Sequence, residues 1–446
     1  MLFRQFVDDD LGCASYLIGD PAVGVAVVVD PAYAIEQYLE AASAEGVRIV
    51  RTLETHTHAD HVSGHGRLAL EQDVPVSIHP LGEPEYPSDE LHDEAELEVG
   101  TVTVRVIHTP GHRPEHCALA VIDRARGPQP QLVLTGDSLF VGAIGRPDLA
   151  VGAREGAEGM FHSLRRLLEL PDGATVYPGH VAGSLCGASM SAAPRSSIGA
   201  ERADNDALAV DDREEFVALA LSSSAPRPPN MDLIVELNRG PFLGAQPPLQ
   251  PLADPSGLTV LDVRPAERFA EGHVSGAINI PVDGSSFATK AGFLLKPAER
   301  IAIHASSLGE AEKAARSLRA VGFLELAGVL DAPEADATID PIGLDELEEL
   351  FGRGEVRVLD VRESDERDDG YIAGSEHMPY RLTRVCGEDL GGGTPVVTIC
   401  ESGARAGIAA SVLASVGVEA RPVLGCGIPD WQARGGRTIE FRRCGT

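Results

Sequence analysis

The chain has 446 residues, 43% of them apolar, and a formal net charge of −31. That length exceeds one ordinary core and implies two or three domains, while so anionic a surface sets nucleic acid aside as a partner. No apolar run reaches the roughly 20 residues of a membrane span, and the opening stretch lacks the basic-then-apolar pattern of a secretory leader, so a cytoplasmic protein without a membrane partner is expected.

Residues 1–190 alternate short apolar runs with Gly, Pro and Asp punctuation: "VGVAVVVDP", "VPVSIHP", "TVTVRVIHTPGH", "QLVLTGD" and "ATVYPGH". These read as buried strands, each delivering a polar residue at its C-terminal end. Helical patterns lie between them at 34–45 and 157–170, so the first part is a sheet-rich α/β layer structure. The stretch 222–257 is rich in Pro, Gly and Ser and reads as a surface tail and linker.

Beyond it the sequence repeats. "LDVRPAERFAEGHVSGAINIP" (261–281) aligns with "LDVRESDERDDGYIAGSEHMP" (359–379) at an offset of 98, and 299–323 aligns with 394–418 at an offset of 95. Each copy reads strand, loop, helix, then strand, tight loop and helix, a domain of about 100 residues with a mostly parallel sheet. The expected domains are 1–240, 241–340 and 341–446.

Eleven of the fourteen histidines precede residue 181, and five metal-seeking side chains fall in "HTHADHVSGH": His56, His58, Asp60, His61 and His65. His56 and His58 follow a strand end, and their i, i+2 spacing on extended chain points both rings one way. Asp60 and His61 follow, to face a second ion or support the first. His112 in "TPGH", Asp137 in "TGD" and His180 in "YPGH" each end a further predicted strand. Seven candidate ligands from four strand ends point to a metal centre. His65, His79, His92, His108, His116 and His162 read as packing or surface residues and Cys117 as core. Cys186 lies just after the His180 loop, within reach of substrate or a redox partner.

In the second copy, "VVTICESGARAGIAA" ends a buried strand at Cys400, turns through Gly403 and enters a helix near Arg405. A thiol at a helix N-terminus gains from loop N–H groups and the helix dipole, which favour a nucleophilic thiolate. Arg405 adds a cation for an anionic sulfur donor or acceptor. The first copy has Ala305 and Glu310 at the matching positions. It therefore lacks a nucleophile and serves architecture or docking.

The spacing HxHxDH with a later His, Asp and His resembles the metallo-β-lactamase superfamily, which implies an αβ/βα sandwich with the metal at one edge. That superfamily contains hydrolases and oxygenases. A hydrolase would place His56, His58 and His112 on one zinc and Asp60, His61 and His180 on another, with Asp137 bridging. An oxygenase would use one Fe(II) on two histidines and a carboxylate, leaving positions open; zinc has no accessible redox change. "TPGHRPEH", "TGDSLFVGAIGRPDL", "YPGHVAGSLCG" and "SSIGAERADN" are similar to the persulfide dioxygenases. That resemblance implies one Fe(II) per chain on His56, His112 and Asp137. It places His58, Asp60, His61 and His180 around them, and Arg146 of "GRPD" near the substrate as a donor to an anionic thiol.

The repeat resembles the rhodanese domain, in "LDVR", the "GYIAG" region and the Cys-led loop of six residues from Cys400 to Arg405, as in sulfurtransferases. Here "GSEHMPY" departs from "GAINIP", which the first copy keeps. Together the resemblances imply an α/β chain in three parts: a persulfide dioxygenase domain, an inactive rhodanese and an active one. The expected reaction oxidises a low-molecular-weight persulfide with O2 to sulfite, which Cys400 converts to thiosulfate in sulfide detoxification. The alternatives are a zinc thioester hydrolase resembling glyoxalase II with an appended sulfurtransferase, and a non-catalytic sulfur-sensing or docking protein. A homo-oligomer is expected.

Overall fold

Runs of valine, isoleucine and leucine make the strands of the first of two units, Met1–Gln246 with Arg319–Gly322. The computed structural model describes residues 1–181, 191, 193–222, 226–331, 333–391 and 393–440. One sheet holds β1 Leu2–Val7, β2 Ala14–Asp20, β3 Val25–Val29, β4 Arg48–Leu53, β5 Val76–Ile78 and β6 Asp89–Glu90, in that order. The second holds β7 Glu96–Val99, β8 Val102–His108, β9 Cys117–Asp123, β10 Leu132–Gly136, β13 Thr175–Pro178 and β14 Ser196–Ser197, ordered β14-β13-β10-β9-β8-β7. A short ribbon, β11 Leu139–Phe140 and β12 Ala143–Ile144, follows β10.

Adjacent residues of a strand point to opposite faces, and here both faces are covered. Tyr16, Ile18, Val27 and Val29 of the first sheet meet Val104, Val106, Leu119, Val121 and Leu134 of the second. On the outer faces, Leu17, Ala26 and Val28 pack on Tyr38 and Ala41 of the helix Glu36–Ala44. Ala118, Ala120 and Val133 pack on Met160 and Leu164 of the helix Ala153–Leu167. Helix, sheet, sheet and helix layers are the αβ/βα sandwich that the sequence resemblance implied.

The second unit spans Pro247–Leu318 and the residues from Phe323 onward. Its five-stranded sheet contains β15 Pro251–Leu252, β16 Thr259–Asp262, β17 Ile278–Asn279, β18 Ile301–His304 and β19 Leu326–Leu330, ordered β15-β19-β18-β16-β17 and all parallel. The four-stranded sheet contains β20 Arg357–Asp360, β22 Glu376–His377, β23 Val396–Ile399 and β24 Ala420–Pro422, ordered β22-β20-β23-β24 and likewise parallel. β21 Tyr371–Ile372 and β25 Thr438–Ile439 form a separate ribbon. The two copies share polar contacts, one of them buried and one half-buried. The Asn279 N–H donates to Ser411 Oγ at 2.9 Å, and Arg384 clasps Glu299 at 2.6 and 2.9 Å.

One expectation is corrected. The stretch 222–257 is not simply a tail, because Met231–Arg239 forms a helix that buries Met231, Ile234 and Asn238. The i, i+3, i+7 stripe is helical, but one of its three members is polar and Pro and Gly flank it, so composition hides it. No helix among the described residues is long and apolar enough to cross a membrane.

Candidate functional site

The strand ends of both sheets converge on one buried cluster. His56 follows β4, His112 follows β8 and Asp137 follows β10, and one ligand atom from each lies within 4.8 Å of the others. His112 Nε2 is 3.5 Å and His56 Nε2 4.0 Å from Asp137 Oδ2. Gly136 has φ +48°, and a Cβ there would come 2.4 Å from His116 Nε2. Only glycine fits the turn that presents Asp137.

Hydrogen bonds fix the tautomer of each histidine. Thr55 Oγ1 donates to Asp30 Oδ2 at 2.8 Å and so accepts from His56 Nδ1 at 2.9 Å. His112 Nδ1 donates to the Arg146 carbonyl at 3.0 Å. Both Nε2 lone pairs are therefore left facing the cluster, as metal-ligating imidazoles require. Burial, helped by neighbouring imidazoles, holds His56 well below its ordinary pKa, and burial also lowers His112. Both rings are neutral at pH 7. Asp137 is held below the carboxylate range: burial raises it, but the His180 imidazole outweighs that. Two neutral imidazoles and a carboxylate are a donor set for one divalent cation. His56 Nε2 and Asp137 Oδ2 are buried without a hydrogen-bond partner among the described residues. Atoms so placed are costly unless something binds them, so the cluster fits a metal.

Around it, the other candidates form two further groups. His58 Nε2 faces Glu54 Oε2 at 3.2 Å and Asp30 Oδ1 at 3.3 Å. Burial opposes its protonation, but the two carboxylates outweigh burial and raise its pKa. Both of its ring nitrogens are buried without a geometrically sound hydrogen bond among the described residues. His180 bridges Asp137 Oδ1 at 2.8 Å and Asp60 Oδ2 at 2.6 Å, and His61 Nδ1 lies 3.3 Å from Asp60 Oδ1. Cys13 joins Asp60 and His61 in a third potential ligand group, its Sγ 3.4 Å from Asp60 and 3.3 Å from His180. Arg146 is buried, and its guanidinium forms a two-point pair with Asp148 at 2.7 and 2.8 Å.

Sequence reasoning missed several contributors. Cys13 reaches the site through a β-bridge to His180, and Asn238 donates to the His58 and His61 carbonyls. His116, read as packing, accepts the Asp137 N–H at 2.9 Å; burial holds it neutral, at a pKa of about 3. No local spacing signals these contacts. His65 binds Glu54, His79 stacks on His108, and Cys117 is core. Cys186 lies outside the described residues.

In the second unit, Cys400 follows β23 and is fully buried. Gly403 donates its N–H to Cys400 Sγ at 3.2 Å and has φ +91°; a Cβ there would come 2.6 Å from Gly425 N. The helix Ala404–Ser415 begins next. Arg405 pairs with Glu366 through two contacts of 2.5 Å. The first copy differs in kind. There Glu310 accepts the Ser306 N–H at 2.8 Å, so a carboxylate from the chain itself sits on a loop donor.

The sequence matches the Metallo-beta-lactamase superfamily over residues 8–180 and the Rhodanese-like domain over 249–332 and 343–434. The crystal structure of a metallo-beta-lactamase from Staphylococcus aureus is 31% identical, covering 74% of this chain and 98% of that one with a TM-score of 0.69. Bovine mitochondrial persulfide dioxygenase ETHE1 is 26% identical over 53% of this chain and 87% of its own. A hydroxyacylglutathione hydrolase from Synechococcus is 34% identical over 37% of this chain and 63% of its own. With its ligand-bearing sandwich and its two parallel-sheet copies, the chain belongs to the metallo-beta-lactamase superfamily, joined to two rhodanese-like domains.

Proposed function

We propose that the protein is an iron-dependent persulfide dioxygenase coupled to a sulfurtransferase. The observation that carries this reading is the cluster of His56, His112 and Asp137 in a chain that also holds the Cys400 loop. Ferrous iron held by those three residues would supply redox chemistry toward O2 and sulfur, which zinc lacks. The likeness to the bovine persulfide dioxygenase supports it.

The chain's own residues do the rest. Thr55 and the Arg146 carbonyl set the tautomer of the two imidazoles and aim them inward, and burial keeps both neutral. His116 and His180 fix Asp137 from its main chain and its side chain. Arg146, its guanidinium oriented by Asp148, is the donor we assign to an anionic thiol carrier. In balance, one persulfide, one O2 and one water give one thiol, one sulfite and two protons. At the second site, the Cys400 thiolate takes the outer sulfur of another persulfide, releasing thiolate. Sulfite then attacks that sulfur, the bond to Cys400 breaks, and thiosulfate leaves with the thiolate restored. One chain carrying both sites raises the local concentration of sulfite at Cys400. The first rhodanese copy takes no part in transfer.

A zinc thioester hydrolase is the second reading. It is favoured by Asp60, His61 and His180 gathered beside Asp137 and by the likeness to the Synechococcus hydrolase. Metal analysis after purification without oxygen separates the two: one iron per chain supports the dioxygenase, two zincs the hydrolase. We also assign the protein to the cytoplasm and to sulfide detoxification, and take it to be a homo-oligomer, which sedimentation of the intact chain tests.

A further inference from the structure

We propose that Asn238 is a positioning residue for the metal centre, setting the backbone of the loop that carries His56, His58, Asp60 and His61. Its carboxamide is buried, with 3% of its surface exposed. The Nδ2 group donates to the His58 carbonyl at 3.0 Å and to the His61 carbonyl at 2.8 Å. Its Oδ1 accepts the Ser63 N–H at 2.8 Å. Two carbonyls need donors and one amide needs an acceptor, and a carboxamide at this distance supplies both. An aspartate in its place would turn an oxygen toward one or both carbonyls, and a glutamine is one methylene too long.

The loop is held at its start from elsewhere. Asp30 accepts the Thr55 N–H at 2.7 Å, and Glu115 accepts the Thr57 N–H at 3.2 Å. From His58 to Ser63, three main-chain groups depend on Asn238. These residues follow directly on His56, so the place of that ring is tied to a side chain 182 positions later in the sequence. The helix bearing Asn238 also borders a cavity of about 640 Å³, lined by Met231, Val235 and Glu236 together with Ala59, Arg113 and Leu149. Ala59 lies between His58 and Asp60, and Arg113 follows His112. The helix thus forms both a wall of that cavity and the brace of the metal loop.

Outer contacts of this kind are worth about 10- to 100-fold in metal affinity. Asn238→Asp, and Asn238→Ser as the milder change should the first not fold, are purified metal-free and titrated with Co(II). Melting is followed for the metal-free and the metal-saturated protein. The expected result is at least about a tenfold loss of Co(II) affinity, a smaller rise in melting temperature on metal binding, and an altered visible spectrum of the Co(II) protein. A merely structural role would lower both melting temperatures equally; an unchanged rise, an unchanged affinity and an unchanged spectrum would overturn the proposal. The proposal rests on a resident metal and not on the oxygenase reading. Failure of O2 chemistry with wild-type Co(II) behaviour in the parent protein sinks that reading alone.

Discussion

Each candidate ligand is oriented by a hydrogen bond that the metal does not make. Thr55 fixes His56, the Arg146 carbonyl fixes His112 and His180 fixes Asp137. Removing one of three donors should be severe. His112→Ala and Asp137→Ala are expected to lose metal and O2 uptake together, as read by metal content and an oxygen electrode. His58→Ala should keep much of the iron but lose activity, because the His58 Nε2 faces Asp30 and Glu54. Metal loss as complete as in His112→Ala would contradict the assignment of a single ion to His56, His112 and Asp137. Gly136→Ala should destabilise the fold by about 2 kcal/mol or more, since φ is +48° and its Cβ would strike His116; denaturant unfolding measures this. At Arg405 the relevant partner is Glu366, whose pKa is lowered because the Arg405 contacts outweigh its partial burial. A depressed carboxylate stabilises the fold above its unfolded pKa, and that contribution is lost as pH falls through the folded value. The stability gap between wild type and Glu366→Gln should therefore be full at pH 7 and narrow below about pH 4. A gap constant down to about pH 3 would contradict the pairing.

At the scale of elements, legibility followed locality. Strand ends at His56, His112, Asp137 and Cys400 could be read because each apolar run stops on a polar residue. The helix Met231–Arg239 could not. Asn238 is buried for the sake of carbonyls at His58 and His61, and nothing within its own segment shows that. Cys13 and His116 escaped for the same reason, since both meet the site across strands. In the first copy the loop sequence does show the lost thiol, and the structure adds the reason for expecting no easy rescue. Glu310 already occupies the Ser306 N–H. Ala305→Cys in a Cys400→Ser background should therefore gain no thiosulfate:cyanide transfer, because the carboxylate opposes both a thiolate and an anionic substrate. Appreciable transfer by that double variant would refute this.

Across the whole molecule, the His56–His112–Asp137 cluster and the Cys400 loop belong to separate units of the chain. Cys400→Ser should then abolish sulfur transfer and leave O2 consumption, with sulfite replacing thiosulfate as the product; serine stays protonated at neutral pH and cannot carry a persulfide. Loss of O2 uptake in that variant would show that the two sites act as one. The central claim is that one iron per chain oxidises a persulfide. Its most direct measurement is O2 uptake with a persulfide substrate as metal-free protein is loaded stepwise with Fe(II), and in parallel with Zn(II). The account predicts uptake that rises in proportion to iron, saturates at one iron per chain, consumes one O2 per persulfide and is absent with zinc. Iron-loaded protein that takes up no O2, beside zinc-loaded protein that hydrolyses thioesters, would contradict it.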